Sequence, residues 1–167
     1  MCIRDRLEDW LKDHPDEGLV WANLGMLRQQ LGRDEAALSA YEKALPVTTG
    51  NPVILNNMAW LYLDRDPERA LELASQAYQL APGRAEIVDT YGWVMFRQGR
   101  RNAGLAALQQ ALVIAPRNAE IALHVAEALH ALERDAEARS VLERVVRDNP
   151  GTQYAVAARL LLDKLRG

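Results

Sequence analysis

Two histidines and a glutamate recur at a spacing of three residues in one short segment, and metal chemistry is the first possibility they raise. His124, Glu127 and His130 form an H-x-x-E-x-x-H run. On a helix, six residues place the two imidazoles about 120 degrees apart, whereas zinc hydrolases use histidines four residues apart whose rings point at one ion. We therefore predict ordinary polar groups on a helix surface, with a metal-dependent enzyme as a remote alternative.

The other patterns that could support catalysis are incomplete. Gly99 and Gly104 have the spacing of the glycines in a phosphate loop, but Leu105 and Ala106 stand where Lys and Ser or Thr are required. The acidic residues at 64–68 lack the twelve-residue loop and central glycine of a calcium site. The chain has three serines, and none is set beside a histidine and an acid. The sequence therefore predicts neither an enzyme nor a bound cofactor.

Composition narrows the class of partner. The 167 residues carry 20 basic and 23 acidic side chains, a net charge of -3, and the two signs are mixed along the chain. Nucleic-acid binding relies on clustered positive charge, so we do not expect it here. The longest apolar runs fall far short of the roughly 18 residues that cross a bilayer, so direct membrane insertion by this segment is not expected either.

A repeat of about 34 residues organises the chain. A small residue follows an apolar one at Gly25, Ala59, Gly92 and Ala126, with spacings of 34, 33 and 34. A second small position recurs at Ala37, Ala70, Gly104 and Ala138. A proline closes the units at Pro15, Pro82, Pro116 and Pro150, and Thr49 stands where one more is expected. A fixed period of this length is typical of solenoid repeats.

Each unit reads as a helical hairpin, because the apolar spacing is near 3.6 twice and is broken by one turn and one proline. In the third unit we predict helices over 85–98 and 102–114, with Gly99 in a left-handed conformation at the turn. The two small positions are expected where the helices of one hairpin cross closely. Asn51 and Thr152 are predicted to cap helices that follow them.

These positions, together with the glycine in the turn, resemble the tetratricopeptide repeat (TPR) family. The resemblance implies an all-α, right-handed superhelical solenoid whose first helices line a concave face where ligands bind. Four repeats are expected at about 16–49, 50–82, 83–116 and 117–150, followed by a capping helix at 151–167. Glu133 replaces the turn glycine and Gly104 replaces alanine, so the fourth turn is less sharply specified.

The first-helix positions carried over from the family give a predicted partner-binding set. It comprises Met26, Asn57, Trp60, Asp89, Trp93, Phe96, Arg97, His124 and Glu127. Trp60 and Trp93 occupy the same repeat position, and each indole either packs as core or forms an aromatic platform for a peptide. The charges on this face are mainly acidic, which argues against a clamp for the acidic C-termini of chaperones.

The function that follows is a non-catalytic scaffold that binds a protein or peptide segment; the alternative is a structural spacer or self-assembly segment of an envelope protein, without a groove ligand. The runs LNNMAWLYLDRDPERALELASQAYQLAP and IVDTYGWVMFRQGRRNAGLAALQQALVIAP are similar to the C-terminal repeats of bacterial TPR lipoproteins associated with exosortase and PEP-CTERM protein sorting. That narrower resemblance implies the C-terminal part of a larger protein in a cell envelope or periplasm; a cytoplasmic setting stays open.

The first six residues, MCIRDR, resemble the translation of a transposon-derived sequencing adaptor, and we expect 1–6 to be an assembly scar. The only cysteine, Cys2, then carries no chemistry. Residues 7–15 are predicted to be the second helix of a truncated repeat. Leu7, Trp10 and Leu11 are expected to form an exposed apolar edge.

Overall fold

The computed structural model describes residues 3–165, and within that range it consists of ten α-helices with no strand. The all-α prediction is confirmed. The chain divides into two compact units, one ending at Leu80 and the other beginning at Ala81. The expectation about Cys2 lies outside the described residues.

The first unit holds five helices. They are α1 Ile3–Asp13, α2 Gly18–Gln30, α3 Asp34–Ala44, α4 Pro52–Tyr62 and α5 Pro67–Leu80. Helices α2 and α3 form one antiparallel hairpin and α4 and α5 the next, because each pair is joined by a turn of a few residues. Both pairs lie within the first two predicted repeat ranges.

The second unit holds the other five described helices. They are α6 Ala85–Arg97, α7 Arg101–Ile114, α8 Ala119–His130, α9 Asp135–Asp148 and α10 Gln153–Lys164. Two hairpins, α6 with α7 and α8 with α9, are followed by the single helix α10. Arg139 of α9 donates a hydrogen bond of 3.1 Å to the carbonyl of Leu165, which holds the end of α10 against α9.

The small repeat positions lie where the helices of a hairpin touch. All eight are buried, and Gly92 of α6 and Gly104 of α7 face each other at a close crossing. A methyl group on Gly92 would lie 2.8 Å from the nitrogen of Leu108 and 3.0 Å from the oxygen of Gly104. In the α2–α3 hairpin the neighbour is different, because a methyl group on Gly25 would meet the ring of Tyr41 at 2.6 Å.

The predicted caps and turns form as expected. The side chain of Asn51 accepts a hydrogen bond from the amide of Val53 at 2.9 Å, and Thr152 accepts one from the amide of Ala155 at 3.3 Å. Gly99 has φ +83 at the α6–α7 turn. Glu133, at the equivalent place between α8 and α9, also adopts a left-handed φ of 60, a conformation that costs side chains other than glycine about 1–2 kcal/mol.

Helix α3 is shorter than its counterparts, with 11 residues against 14 in α5, α7 and α9. Pro46 follows closely after its end, and a proline cannot donate the amide that would continue the helix. Thr48 instead satisfies a carbonyl at the helix end, since both its amide and its hydroxyl donate to the carbonyl of Ala44, at 3.1 and 2.9 Å. The first repeat has Thr49 in place of a closing proline, and its second helix ends through Pro46 and Thr48 instead.

Helix α1 differs from its predicted form in two respects. It begins at Ile3 rather than at Leu7, so regular helix extends into the first six residues. Leu11 is 4% exposed and packs with Leu24 and Ala40. The expectation that Leu11 belongs to an exposed edge is therefore wrong, because α2 already covers that face of α1; Trp10, on another face, is 50% exposed.

Candidate functional site

In the second unit, a buried acid and a histidine from two first helices form a close polar contact. Asp89 of α6 and His124 of α8 approach to 2.8 Å between Oδ2 and Nδ1, and their side chains are 8% and 15% exposed. A carboxylate can only accept a hydrogen bond, so Nδ1 of His124 carries the proton and donates it. The pair joins α6 to α8 beneath the surface.

Opposing effects act on the pKa of His124. Burial alone would lower it, but the hydrogen bond and negative charge of Asp89 outweigh burial, and Glu120 and Glu127 add in the same direction, so the pKa is raised above 6.5. The second carboxylate oxygen of Asp89, Oδ1, is buried and accepts no hydrogen bond from the described residues. The buried carboxylate of Asp89 therefore favours the positively charged form of the His124 imidazole.

Trp93 stacks on the histidine of this pair. Its ring stacks on His124 with centroids 4.9 Å apart and planes 20° apart, and on Phe96 with centroids 6.0 Å apart and planes 9° apart. Trp93 is half-buried, whereas Phe96 is only 8% exposed. Phe96, predicted as a contact residue, is therefore a buried stacking partner of Trp93. Trp93 is the more exposed ring of this pair.

The remaining predicted residues of the second unit are exposed. Arg97 lies at the end of α6 and Glu127 in the middle of α8. Asp89, His124, Trp93 and these two charges form what we call the unit 2 group. It presents one aromatic face with an exposed residue of each charge near it, and His124, which is hydrogen-bonded to Asp89, stacks on the ring.

The H-x-x-E-x-x-H run does not converge. His130 binds Asp135 at the start of α9, with 2.7 Å between Nδ1 and Oδ1, while His124 is engaged with Asp89. Across residues 3–165, no three side chains of His, Cys, Asp or Glu are grouped closely enough to hold a metal ion. The two imidazoles therefore serve different carboxylates.

In the first unit, Asn57 belongs to a hydrogen-bonded chain across three helices. Its Nδ2 donates to the hydroxyl of Tyr41 at 3.1 Å, and that hydroxyl donates to Oε1 of Gln29 at 2.9 Å. Tyr41 is completely buried, and burial raises its pKa although the bond from Asn57 acts against this. Asn57 is thus a packing residue that fixes α4 to α3, and the exposed members on this side are Met26 and Trp60.

Trp60 borders a hollow in the first unit. The hollow has a volume of about 440 Å³. Its walls are Gln29, Asp34, Trp60, Leu61, Asp64 and Arg65, from the end of α2, the start of α3 and the end of α4. Trp60 is 37% exposed. Met26, Asn57, Trp60 and this hollow form the unit 1 group, in which an aromatic ring is surrounded by polar side chains.

A second hollow lies between the second helices α7 and α9, away from the predicted set. It has a volume of about 530 Å³, with apolar walls that include Leu112, Val113 and Val141 and polar groups that include Glu137 and Arg144. Glu137 is already bound through both oxygens to Arg134 at 2.7 Å. This hollow is an alternative binding surface to the unit 1 and unit 2 groups.

Sequence reasoning missed two features of the unit 1 group. Asp34 is not in the predicted partner-binding set, because it lies at the start of a second helix and the family pattern places binding residues on first helices. Tyr41 is a large residue of the repeat, but periodicity does not predict its bond to Asn57, which joins residues 16 apart in different helices. The position of Asp34 had a sequence signal. Asp34 follows Gly32 in the turn between α2 and α3, so it is expected close to the end of α2.

The fold and its repeated helix crossings define the class of protein. Tetratricopeptide-repeat family models match residues 19–45 and residues 95–161. These ranges correspond to the α2–α3 hairpin and to the segment that runs from the end of α6 into α10. The chain carries tetratricopeptide repeats, in the all-α fold that this class adopts.

Individual proteins extend the comparison. A TPR repeat-containing protein of Pseudomonas aeruginosa strain PAO1, PA4667, is 30% identical over 127 residues; the match covers 72% of this chain and 21% of that protein, so this chain spans about a fifth of its relative. The crystal structure of TTC0263, a TPR protein of Thermus thermophilus, matches with a TM-score of 0.81 and 21% identity, over 98% of this chain and 88% of that one. The structure of YrrB, described as a TPR protein with an unusual peptide-binding site, matches with a TM-score of 0.68 and 18% identity, over 95% and 90%.

Among the helices between Ile3 and Lys164, none is long and apolar enough to cross a membrane.

Proposed function

We propose that this chain is a non-catalytic protein-interaction module whose first helices bind a peptide or protein segment, on the face that is concave in TPR proteins. The observation that carries the proposal is the surface position of two indoles at the same repeat position, Trp60 in unit 1 and Trp93 in unit 2. Partly exposed tryptophans are the residues most enriched among binding hot spots. YrrB, of similar fold, is described by its peptide-binding site, which supports the same kind of ligand.

The unit 2 group favours binding for a second reason. A ring that stacks on both His124 and Phe96 loses little conformational freedom when a partner covers it, so less entropy opposes association. Arg97 and Glu127 add a charge of each sign at the surface, which favours protein over polyanion partners. A preformed aromatic face with mixed charge suits an apolar peptide side chain flanked by polar groups.

The test is selection of binders from a random-peptide phage library on the immobilised chain, followed by fluorescence anisotropy with a selected peptide. Trp60→Ala or Trp93→Ala should weaken binding at least about tenfold, the loss expected for a hot-spot tryptophan. Trp10→Ala is the matched control, because Trp10 is an exposed indole on α1, outside the predicted set. Val113→Ser probes the hollow between α7 and α9.

Two results would oppose the proposal. If Val113→Ser abolishes binding while both tryptophan variants bind normally, the ligand occupies the second-helix hollow. If the tryptophan variants lose binding only because they unfold, as far-UV circular dichroism would reveal, the indoles are structural.

Self-assembly is the second candidate function, and the surface of α1 favours it. Leu7, Trp10 and Val20, which lie outside the expected scar at 1–6, border a largely apolar hollow of about 390 Å³. An exposed apolar surface of this kind is typical of association sites. Light scattering coupled to size exclusion should show concentration-dependent oligomers that Trp10→Ser dissociates; a monomer at all concentrations would reject this candidate.

The setting of the parent protein is also a proposal. The similarity of the second and third repeats to exosortase-associated lipoproteins supports a place in a bacterial cell envelope. Fractionation of cells that express the full-length parent protein tests it, since recovery in the cytoplasmic fraction alone would contradict an envelope location.

A further inference from the structure

We propose that the hollow beside Trp60 is a pocket for a basic side chain, an arginine or lysine of the bound segment. This inference rests on the proposed function and specifies the ligand chemistry of the unit 1 group. The observations that carry it are the composition of the walls, the burial of Asp34 and the direction of the helices that end there.

The walls supply the groups that recognise a guanidinium or ammonium ion. Trp60 contributes an indole that is 37% exposed, and indoles attract cations to their faces. Asp34 contributes a half-buried carboxylate that makes no ion pair with any residue in the described part of the chain. A carboxylate beside an aromatic ring binds arginine in two ways at once, through paired hydrogen bonds and through stacking.

The charge of the walls has the right sign. Asp34 is acidic and Arg65 is basic, and both line the hollow. Arg65 is exposed, whereas Asp34 is half-buried, which places the negative charge deeper. Screening by solvent is weaker where a charge is partly buried, so the inner carboxylate dominates the potential in the hollow.

Helix direction adds to this potential. Helix α2 ends at Gln30 and α4 ends at Tyr62, so the hollow is bordered by two helix C-termini, where the partial charge is negative and cations are favoured. Helix α3 begins at the same place with its positive end, but its first residue is Asp34, whose carboxylate offsets that charge. The volume of about 440 Å³ lies at the lower end of the range for ligand sites and suits one long side chain.

Gln29 makes the hollow rigid. Its Oε1 accepts a hydrogen bond from the buried hydroxyl of Tyr41, which in turn is bound by Asn57 of α4. This part of the wall is therefore fixed before a ligand arrives. A prearranged pocket loses less entropy on binding than a mobile one.

The test uses an amino-acid derivative, so it needs no identified partner. N-acetyl-arginine methylamide is titrated into the ¹⁵N-labelled chain, with the neutral isostere N-acetyl-citrulline methylamide as the matched probe. The indole N–H signal of Trp60, assigned by its loss in Trp60→Phe, is followed at physiological ionic strength. We expect a saturable shift with the arginine probe and binding at least about threefold weaker with citrulline.

Variants identify the carboxylate. Asp34→Asn should weaken binding of the arginine probe about threefold to tenfold, whereas Asp16→Asn, which removes one exposed carboxylate of the same unit, should leave it unchanged. Arg65→Gln removes the competing cation and should tighten binding. Equal shifts with arginine and citrulline, or weaker binding in Arg65→Gln, would overturn the pocket assignment.

The two proposals fail separately. If selected peptides need Trp60 but bind Asp34→Asn as well as the wild type, and carry no excess of arginine or lysine, the interaction module stands and the basic-side-chain pocket does not. If no peptide is selected although the arginine probe binds and responds to Asp34→Asn, the pocket stands and the peptide-binding function loses its support.

Discussion

Replacing Gly104 by alanine should destabilise the chain, although the other three repeats carry alanine at this position. An added methyl group would lie 2.6 Å from the nitrogen of Phe96, 2.7 Å from the oxygen of Gly92 and 2.8 Å from the α-carbon of Phe96. All three atoms belong to the backbone of α6 and cannot rotate away. Helices α6 and α7 would therefore have to separate.

Two effects of opposite sign set the magnitude. Alanine in a helix interior is favoured over glycine by about 1 kcal/mol. Overpacking a tight contact costs about 1–3 kcal/mol, and contact with backbone places this position near the upper end. We therefore expect the free energy of unfolding to fall by about 1–2 kcal/mol.

Urea denaturation followed by far-UV circular dichroism measures this change. Gly83→Ala is the matched control in the same unit, because a methyl group there meets no atom within 4 Å; it should be neutral or slightly stabilising, by about 0.4–1 kcal/mol at most. If Gly104→Ala proves as stable as the wild type or more so, the close crossing does not limit side-chain size and the reasoning fails.

Three further predictions concern stability. The folded-state pKa of His124 is raised above 6.5, so its stabilising contribution is complete below that pH and lost as the pH rises through the folded-state value; urea titrations should show wild-type stability falling over this window relative to His124→Gln. Glu133→Gly should raise the free energy of unfolding by about 0.5–1 kcal/mol, measured by denaturation, because glycine relieves the left-handed φ of 60 while adding entropy to the unfolded chain. Tyr41→Phe should lower the melting temperature through a loss of about 1–3 kcal/mol, since it leaves the partly buried amides of Gln29 and Asn57 without their shared partner; unchanged melting would refute that hydrogen-bonded chain.

The hairpin fold could be predicted from the sequence because its determinants are local and repeated. Gly99 takes the left-handed turn, Asn51 caps α4 with Pro52 in the first turn, and the small residues sit at the crossings. Each of these depends on residues within one repeat. The burial of Leu11 was less predictable, since it depends on its packing against Leu24 of α2 and Ala40 of α3.

The positions of the candidate site residues were predictable from the sequence, but the side chains that surround them were not. Periodicity placed Trp60 and Trp93 at one repeat position, yet one borders a polar hollow and the other stacks on a histidine. The ring that stacks on Trp93 belongs to His124, 31 residues away in α8. The carboxylate that binds this histidine, Asp89, is replaced by Asn56 at the equivalent position of the second repeat. Period-based reasoning assigns the same role to equivalent residues, whereas their neighbours are set by unrelated positions in the adjoining hairpin.

Burial divides the predicted contact residues into two classes, and this determines how substitutions should be interpreted. Asp89 and Phe96 are less than a tenth exposed, so a partner that covers Trp93 has little access to either side chain. Asp89→Asn would nevertheless impair binding, because it removes the charge that holds His124 beneath the indole. Loss of affinity in that variant is therefore evidence for a positioning role, and evidence for direct contact must come from Trp93, Arg97 or Glu127.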